Sequence, residues 1–260
     1  MSDERVTRRT ILKAGGGLVA MAALGTTGIG MAWAQGTSPA SAAAGGGFEG
    51  MWLAVRNRSI IPGTNADDMV TKIREGYVPL IREIPGFVAY IAMVDPNSQA
   101  SAWALVFKDK AGADESTARA GTWLKDNKHE WFEGDPHVVE GSIGIAAGGF
   151  AGGAPAASLE GNIVAMRSRK LKDAAAAEAL EVMVRDGFMP LVTAVPGFIA
   201  YAMAANEQTL DQVSIGVFKD KAGADASTVR AQEWGTEGAT ALTTGDPVVF
   251  EGAIKLVVTA

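Results

Sequence analysis

"FKDKAGADESTARAGTW" (Phe107–Trp123) returns as "FKDKAGADASTVRAQEW" (Phe218–Trp234), 111 positions later. The string reads as the end of a strand followed by a helix. Phe107 closes an apolar run, and Asp109 is placed to accept hydrogen bonds from the free N–H groups of a first helical turn. Ala113, Ser116 or Thr117, Ala120 and Trp123 then recur at helical spacing. Small residues along that stripe let the helix sit close to a sheet, with Trp123 filling space at its end. Lys108 and Arg119 fall on the solvent side. The string holds no nucleophile–base pair, phosphate loop or metal set, so it reads as architecture first.

The offset of 111 extends without a gap in both directions. Arg56 and Arg58 meet Arg167 and Arg169, "PGF" at Pro85 meets "PGF" at Pro196, and Tyr90 meets Tyr201. "GDP" at Gly134 meets "GDP" at Gly245. About a third of the aligned pairs are identical, which marks a tandem duplication of two domain-sized units.

Each unit reads the same way. "MWLAVRNRS" alternates and is rich in β-formers. "ADDMVTKIREGYVPLIREI" places Met69, Ile73, Tyr77, Leu80, Ile81 and Ile84 at helical spacing, with acids in its first turn. "VAYIAMV" and "SAWALVF" are strands, the opening string is the second helix, "GDP" is expected to end it, and "HVVEGSIGI" is the fourth strand. The order is βαββαβ, an α+β ferredoxin-like unit with both helices on one face of an antiparallel sheet. The other face is still partly apolar and needs a cover. The second unit supplies one.

This pattern resembles the dimeric α+β barrel superfamily, and within it the antibiotic-biosynthesis-monooxygenase-like (ABM) domain. The residues that carry the resemblance are "PGF" between helix and second strand and the K-A…R-A-x-x-W run of the second helix. It covers about residues 51–147 and 162–260. It implies an intramolecular dimeric α+β barrel.

The 260-residue chain has no cysteine, which excludes disulfides, thiol nucleophiles and thiolate metal sites. Its net charge of −6 argues against a broad nucleic-acid surface. The first residues read as an address label. "TRRTILK" (Thr7–Lys13) pairs Arg8 with Arg9, a weakly apolar Gly/Ala stretch follows, and "AWA" (Ala32–Ala34) offers small residues to a signal peptidase. This resembles a twin-arginine (Tat) signal peptide over residues 1–34. It implies passage through the Tat translocase to the periplasm or medium, with cleavage expected ahead of retention as a membrane anchor. Those residues carry four basic and two acidic side chains, so the remainder carries −8. Residues 35–50 read as a flexible leader, 51–147 as repeat 1, 148–161 as a Gly/Ala linker and 162–260 as repeat 2.

Several constellations could carry chemistry. Arg56 and Arg58 share a strand face, and if the first and fourth strands are neighbours Glu140 can reach one of them, as Glu251 can reach Arg167 or Arg169. A structural ion pair and a ligand-binding arginine are both open readings. Tyr90, Trp103 and Trp123, with Trp52 and Tyr77, can surround a cavity between helices and sheet in repeat 1. Tyr201, Phe188 and Trp234 do so in repeat 2, with Ile163 and Ser214 in place of two tryptophans. Core packing is the alternative for each ring. His129 and His137 occur in repeat 1 alone, where repeat 2 has Thr240 and Val248. Surface or satisfied histidine is the plainer reading of each, and "HEW" is not the H-E-x-x-H zinc motif, so no metal site is expected.

The resemblance adds expectations of its own. It implies a cofactor-independent monooxygenase, or a binder of a small aromatic molecule, and it admits a homo-oligomer. Haem-degrading relatives use an Asn, a Trp and a His, which would single out Asn57, Trp123 and His129 as candidate catalytic residues with haem as cofactor. The wider binding set is Arg56, Tyr90, Trp103, Trp123, Arg167, Tyr201 and Trp234. A non-catalytic binding or assembly module is the competing class.

Overall fold

The computed structural model describes residues 47–95, 97–127, 130–153 and 157–260. The reading of residues 1–34 as an export signal lies outside them.

Repeat 1 runs β1 (Trp52–Ile60), α1 (Ala66–Lys72), α2 (Val78–Arg82), β2 (Phe87–Asp95), β3 (Ala100–Phe107), α3 (Lys110–Asp126) and β4 (Phe132–Gly148). Repeat 2 runs β5 (Ile163–Leu171), α4 (Ala175–Met183), α5 (Met189–Thr193), β6 (Phe198–Asn206), β7 (Asp211–Phe218), α6 (Lys221–Glu237) and β8 (Thr243–Thr259). The helical stretch expected after β1 is one rod with a π-helical turn, Ile73–Tyr77, between α1 and α2, and Val184–Phe188 repeats that turn. The caps follow from sequence. Asn65 Oδ1 accepts from the amides of Asp67 and Asp68, and Asp109 and Asp220 each accept from the amide three residues on, at 3.1 and 3.0 Å.

The eight strands close into an antiparallel barrel in the order β1-β3-β2-β8-β5-β7-β6-β4. Two sheets packed face to face would each keep open edges. Here β4 and β8, 17 residues each, remove them. The first part of β4 pairs with β1, and from Ser142 onward it pairs with β6 of the other repeat. β8 pairs likewise with β5 and β2. Two short strands could not serve both neighbours.

That length corrects one expectation. "GDP" does not end α3, which stops at Asp126. It lies inside β4, which begins at Phe132 and not at His137. Gly134 and Gly245 sit at φ +63° and +67°, a conformation that only glycine adopts without strain, and they let the long strand bend.

Alternation along the strands sorts two environments. Leu53, Val55, Ile91, Met93, Met166 and Ile215 fill the barrel interior with a run of alanines, which suits the narrow lumen of eight strands. The outer faces pack on the helices through Met69, Ile73, Tyr77, Leu105 and Trp123 in repeat 1, and through Leu180, Val184, Phe188, Tyr201 and Phe218 in repeat 2. Phe48 and Phe150, in the stretches read as leader and linker, stack at 5.4 Å between ring centroids, and both are buried with Leu159. No helix among the described residues is long and apolar enough to cross a membrane.

Candidate functional site

The alternation of β1 decides which side chains can meet. Ala54, Arg56 and Arg58 face the helices, while Leu53, Val55 and Asn57 face the other way. On the helix side Arg56, Arg58, Ile73, Tyr77, Tyr90, Trp103, Ala120, Trp123, Leu124 and Phe132 line a cleft. The rings form a continuous chain. Tyr77 meets Trp123 at 5.6 Å and Tyr90 at 6.0 Å, Tyr90 meets Trp103 at 6.1 Å, and Trp103 meets Phe132 at 6.0 Å. The space left between them is about 50 Å³, room for a few water molecules and less than a drug-sized ligand takes up.

Arg56 sits at the floor of this cleft, 6% exposed. The expected ion pair with Glu140 does not form. Glu140 lies opposite Ala54 across the strand pair and binds Lys110 at 3.1 Å. Glu251 binds Lys221 at 2.9 Å in the same way. Arg56 instead donates through Nη2 to Ser116 Oγ at 2.8 Å and Thr117 Oγ1 at 2.5 Å, both from the opening string. Its Nε is buried without a partner. Burial drives its pKa down, partly offset by Tyr77 and Tyr90. Guanidinium does not give up its proton in this range, so the cost stays as an uncompensated buried charge. Burial pushes the Tyr77 phenol up to about 12 and Tyr90 well above its ordinary value. Tyr77 donates to Ser116 O at 2.9 Å.

Repeat 2 rebuilds the cleft position by position around Arg167, Arg169, Phe188, Tyr201, Ser214 and Trp234, with about 40 Å³ of space. Arg167 is buried and donates to Thr228 Oγ1 at 2.5 Å.

The arrangement therefore assembles Arg56, Tyr90, Trp103 and Trp123 in one cleft and Arg167, Tyr201 and Trp234 in the other. It leaves Trp52 outside, under the Lys110 ammonium at 5.9 Å. It also separates the candidate haem set. Asn57 lies on the barrel side, near His137 and Phe250 at one end of the lumen, with both amide atoms buried and unpartnered. Trp123 lies on the helix side. His129 lies outside the described residues. These positions and the cleft's size do not fit a haem. Among the described residues no group of three His, Asp or Glu could hold a metal. Ser116 and Thr117 were missed as partners of Arg56. Their recurrence as Ser227 and Thr228 was the signal, and helical periodicity explained it first.

The sequence matches no protein-family model and no curated protein. Solved structures do match. A Fusobacterium nucleatum protein provisionally named a monooxygenase is 12% identical with a TM-score of 0.57, covering 82% of this chain and 95% of its own. An anthrone oxidase-like protein is 10% identical with a TM-score of 0.56, over 81% and 94%. The chain has the dimeric α+β barrel fold. A Lactobacillus acidophilus protein, also provisionally named a monooxygenase, shares this barrel at 16% identity and a TM-score of 0.54, over 81% and 97%. At these identities the barrel is what is shared, and its chemistry must be argued from the clefts.

Proposed function

We propose that the repeat 1 cleft binds a small aromatic molecule carrying an acidic oxygen. One observation carries this reading. A buried guanidinium with no carboxylate partner is ringed by Tyr77, Tyr90, Trp103, Trp123 and Phe132. A phenolate or enolate oxygen would compensate the charge, and its ring would replace ring–ring contacts already present. The cleft must widen on binding, and Leu124 and Phe132, both partly exposed, are the walls that yield. The likeness to proteins provisionally named monooxygenases favours a second step on the same ligand. An anion held by Arg56 is electron-rich enough to react with dioxygen directly. For anthrone, O2 converts the CH2 to C=O, with one oxygen entering the product and the other leaving as water.

4-Nitrophenol tests the binding step, since its ionised form is yellow. At a pH where it is half-ionised, added protein should deepen the colour, and Arg56→Met should abolish the effect. No change with wild-type protein would overturn the reading. Oxygen uptake with anthrone tests the second step separately.

We also propose that the chain is exported by the Tat route. Fusing residues 1–34 to a reporter that is active only after folded export tests this, with Arg8→Lys and Arg9→Lys together expected to stop it.

A further inference from the structure

The repeat 2 cleft keeps the arginines of repeat 1 and loses what restrains them. In repeat 1 the Arg58 guanidinium lies over the Phe132 ring, 5.1 Å from its centroid. The matching position in repeat 2 is Thr243, which offers no ring, and among the described residues Arg169 has neither an ion pair nor a hydrogen bond. Trp103 is replaced by Ser214, so the wall beside Tyr201 becomes a hydroxyl, and Gln212 adds an amide. Arg167 and Arg169 stand two residues apart on one strand, on the same face. Both line the cleft, and among the described residues no carboxylate does. Of the acids nearby, Glu251 binds Lys221 at 2.9 Å and Asp211 binds Lys170 at 2.7 Å, while Asp246 acts on Arg169 only through space, without an ion pair. Burial drives the Arg167 pKa down; Tyr201 opposes that shift, the neighbouring Arg169 charge adds to it, and Glu251 opposes it more weakly.

We propose that the repeat 2 cleft is a second, chemically distinct site that binds a small dicarboxylate, one carboxylate to each guanidinium. Arginine forks match carboxylates in two-point geometry, and two like charges facing one cleft are stabilised best by a ligand that bridges them. Gln212 supplies a neutral amide, and the Ser214 hydroxyl, hydrogen-bonded to Tyr201, gives that wall a polar edge. Phe188 and Trp234 limit the body of the ligand to a short carbon chain, in keeping with about 40 Å³ of space. This site does not depend on the reading of repeat 1. It gives the duplication a use, since two copies of one frame present different chemistry.

The test is calorimetric titration of the full chain with malonate, and with malonamide as the neutral molecule of the same shape. Malonate should bind and malonamide should give no heat. Arg169→Gln should weaken malonate by about tenfold or more, the loss of one charged fork. Lys72→Gln, which removes a positive charge from the surface of repeat 1, should leave it unchanged. Ser214→Trp should block the cleft as Trp103 fills its counterpart, which gives a second variant should Arg169→Gln fold poorly. The proposal is overturned if malonate gives no heat with wild-type protein. It is overturned equally if malonamide binds as well, or if Arg169→Gln and Ser214→Trp both bind malonate normally.

Discussion

Arg56 reaches across from β1 to Ser116 on α3, Nη2 to Oγ at 2.8 Å, and no carboxylate takes part. The two hydroxyls that receive the guanidinium do not need it. Ser116 Oγ and Thr117 Oγ1 also donate to Ala113 O, at 2.8 and 3.0 Å. Arg56→Met therefore removes a buried charge and leaves its former partners satisfied. Exchanging buried charge for a well-packed apolar side chain is often neutral or stabilising, by about 1–4 kcal/mol. Urea unfolding should show Arg56→Met at least as stable as wild type while 4-nitrophenolate binding is lost. A loss of more than about 2 kcal/mol would make Arg56 a structural tie and not a ligand group.

Gly76 and Gly187 occupy matching places in the two π-helical turns. A Cβ at Gly76 would stand 2.9 Å from Trp123 Cζ2, and one at Gly187 would stand 2.8 Å from Trp234 Nε1. Glycine is there because a tryptophan lies against the backbone. Gly76→Ala should push Trp123 into the cleft and cost about 1–3 kcal/mol, the usual penalty for overpacking. Thermal unfolding checks the cost. The Trp123 indole resonance should move as well.

How much of this was legible in the sequence follows from which interactions are local. The repeat, the caps at Asp109 and Asp220 and the strand alternation are written in neighbouring residues. Alternation also placed Arg56 and Asn57 on opposite faces of β1, which is enough to divide Asn57 from Trp123. What was not legible depends on register between distant segments. Whether Glu140 faces Arg56 or Lys110 turns on its place opposite Ala54, and nothing local fixes that. The 17-residue length of β4 was hidden for a similar reason. "GDP" is a turn signal in isolation, and here it becomes the bulge between the Asn57–His137 and Ser59–Glu133 pairs of a continuing strand.

Asn57 carries the clearest sign of a polar group without a purpose in the free chain. Both its amide atoms are buried and unpartnered at one end of the barrel. An unmet buried amide costs about 1–3 kcal/mol, and its equivalent in repeat 2 is the smaller Ser168. Asn57→Val suits a strand better and removes the unmet groups. It should raise the midpoint of urea unfolding, by an amount equal to about 1–2 kcal/mol. A fall in that midpoint would mean that the amide has partners in solution.

The chain has three tyrosines, and all three are buried. Burial holds Tyr77 and Tyr201 up to about 12 and Tyr90 well above its usual value, with Arg56 acting the other way on Tyr77 and Tyr90, and the Ser214 hydrogen bond and then Arg167 on Tyr201. A free phenol ionises near 10. The neutral phenols are thus favoured in the folded chain, and the linked stability is fully present below the unfolded value near 10. It drains away as pH rises from there through about 12, because the unfolded chain gives up its protons first. Two outcomes follow. Phenolate absorbance should stay flat through pH 10, where an exposed tyrosine would be half-ionised. Above that it should rise in step with the loss of far-ultraviolet circular dichroism, since the phenols ionise on unfolding. A titrating step near pH 10 in protein that remains folded would show that at least one of the two clefts is open to water.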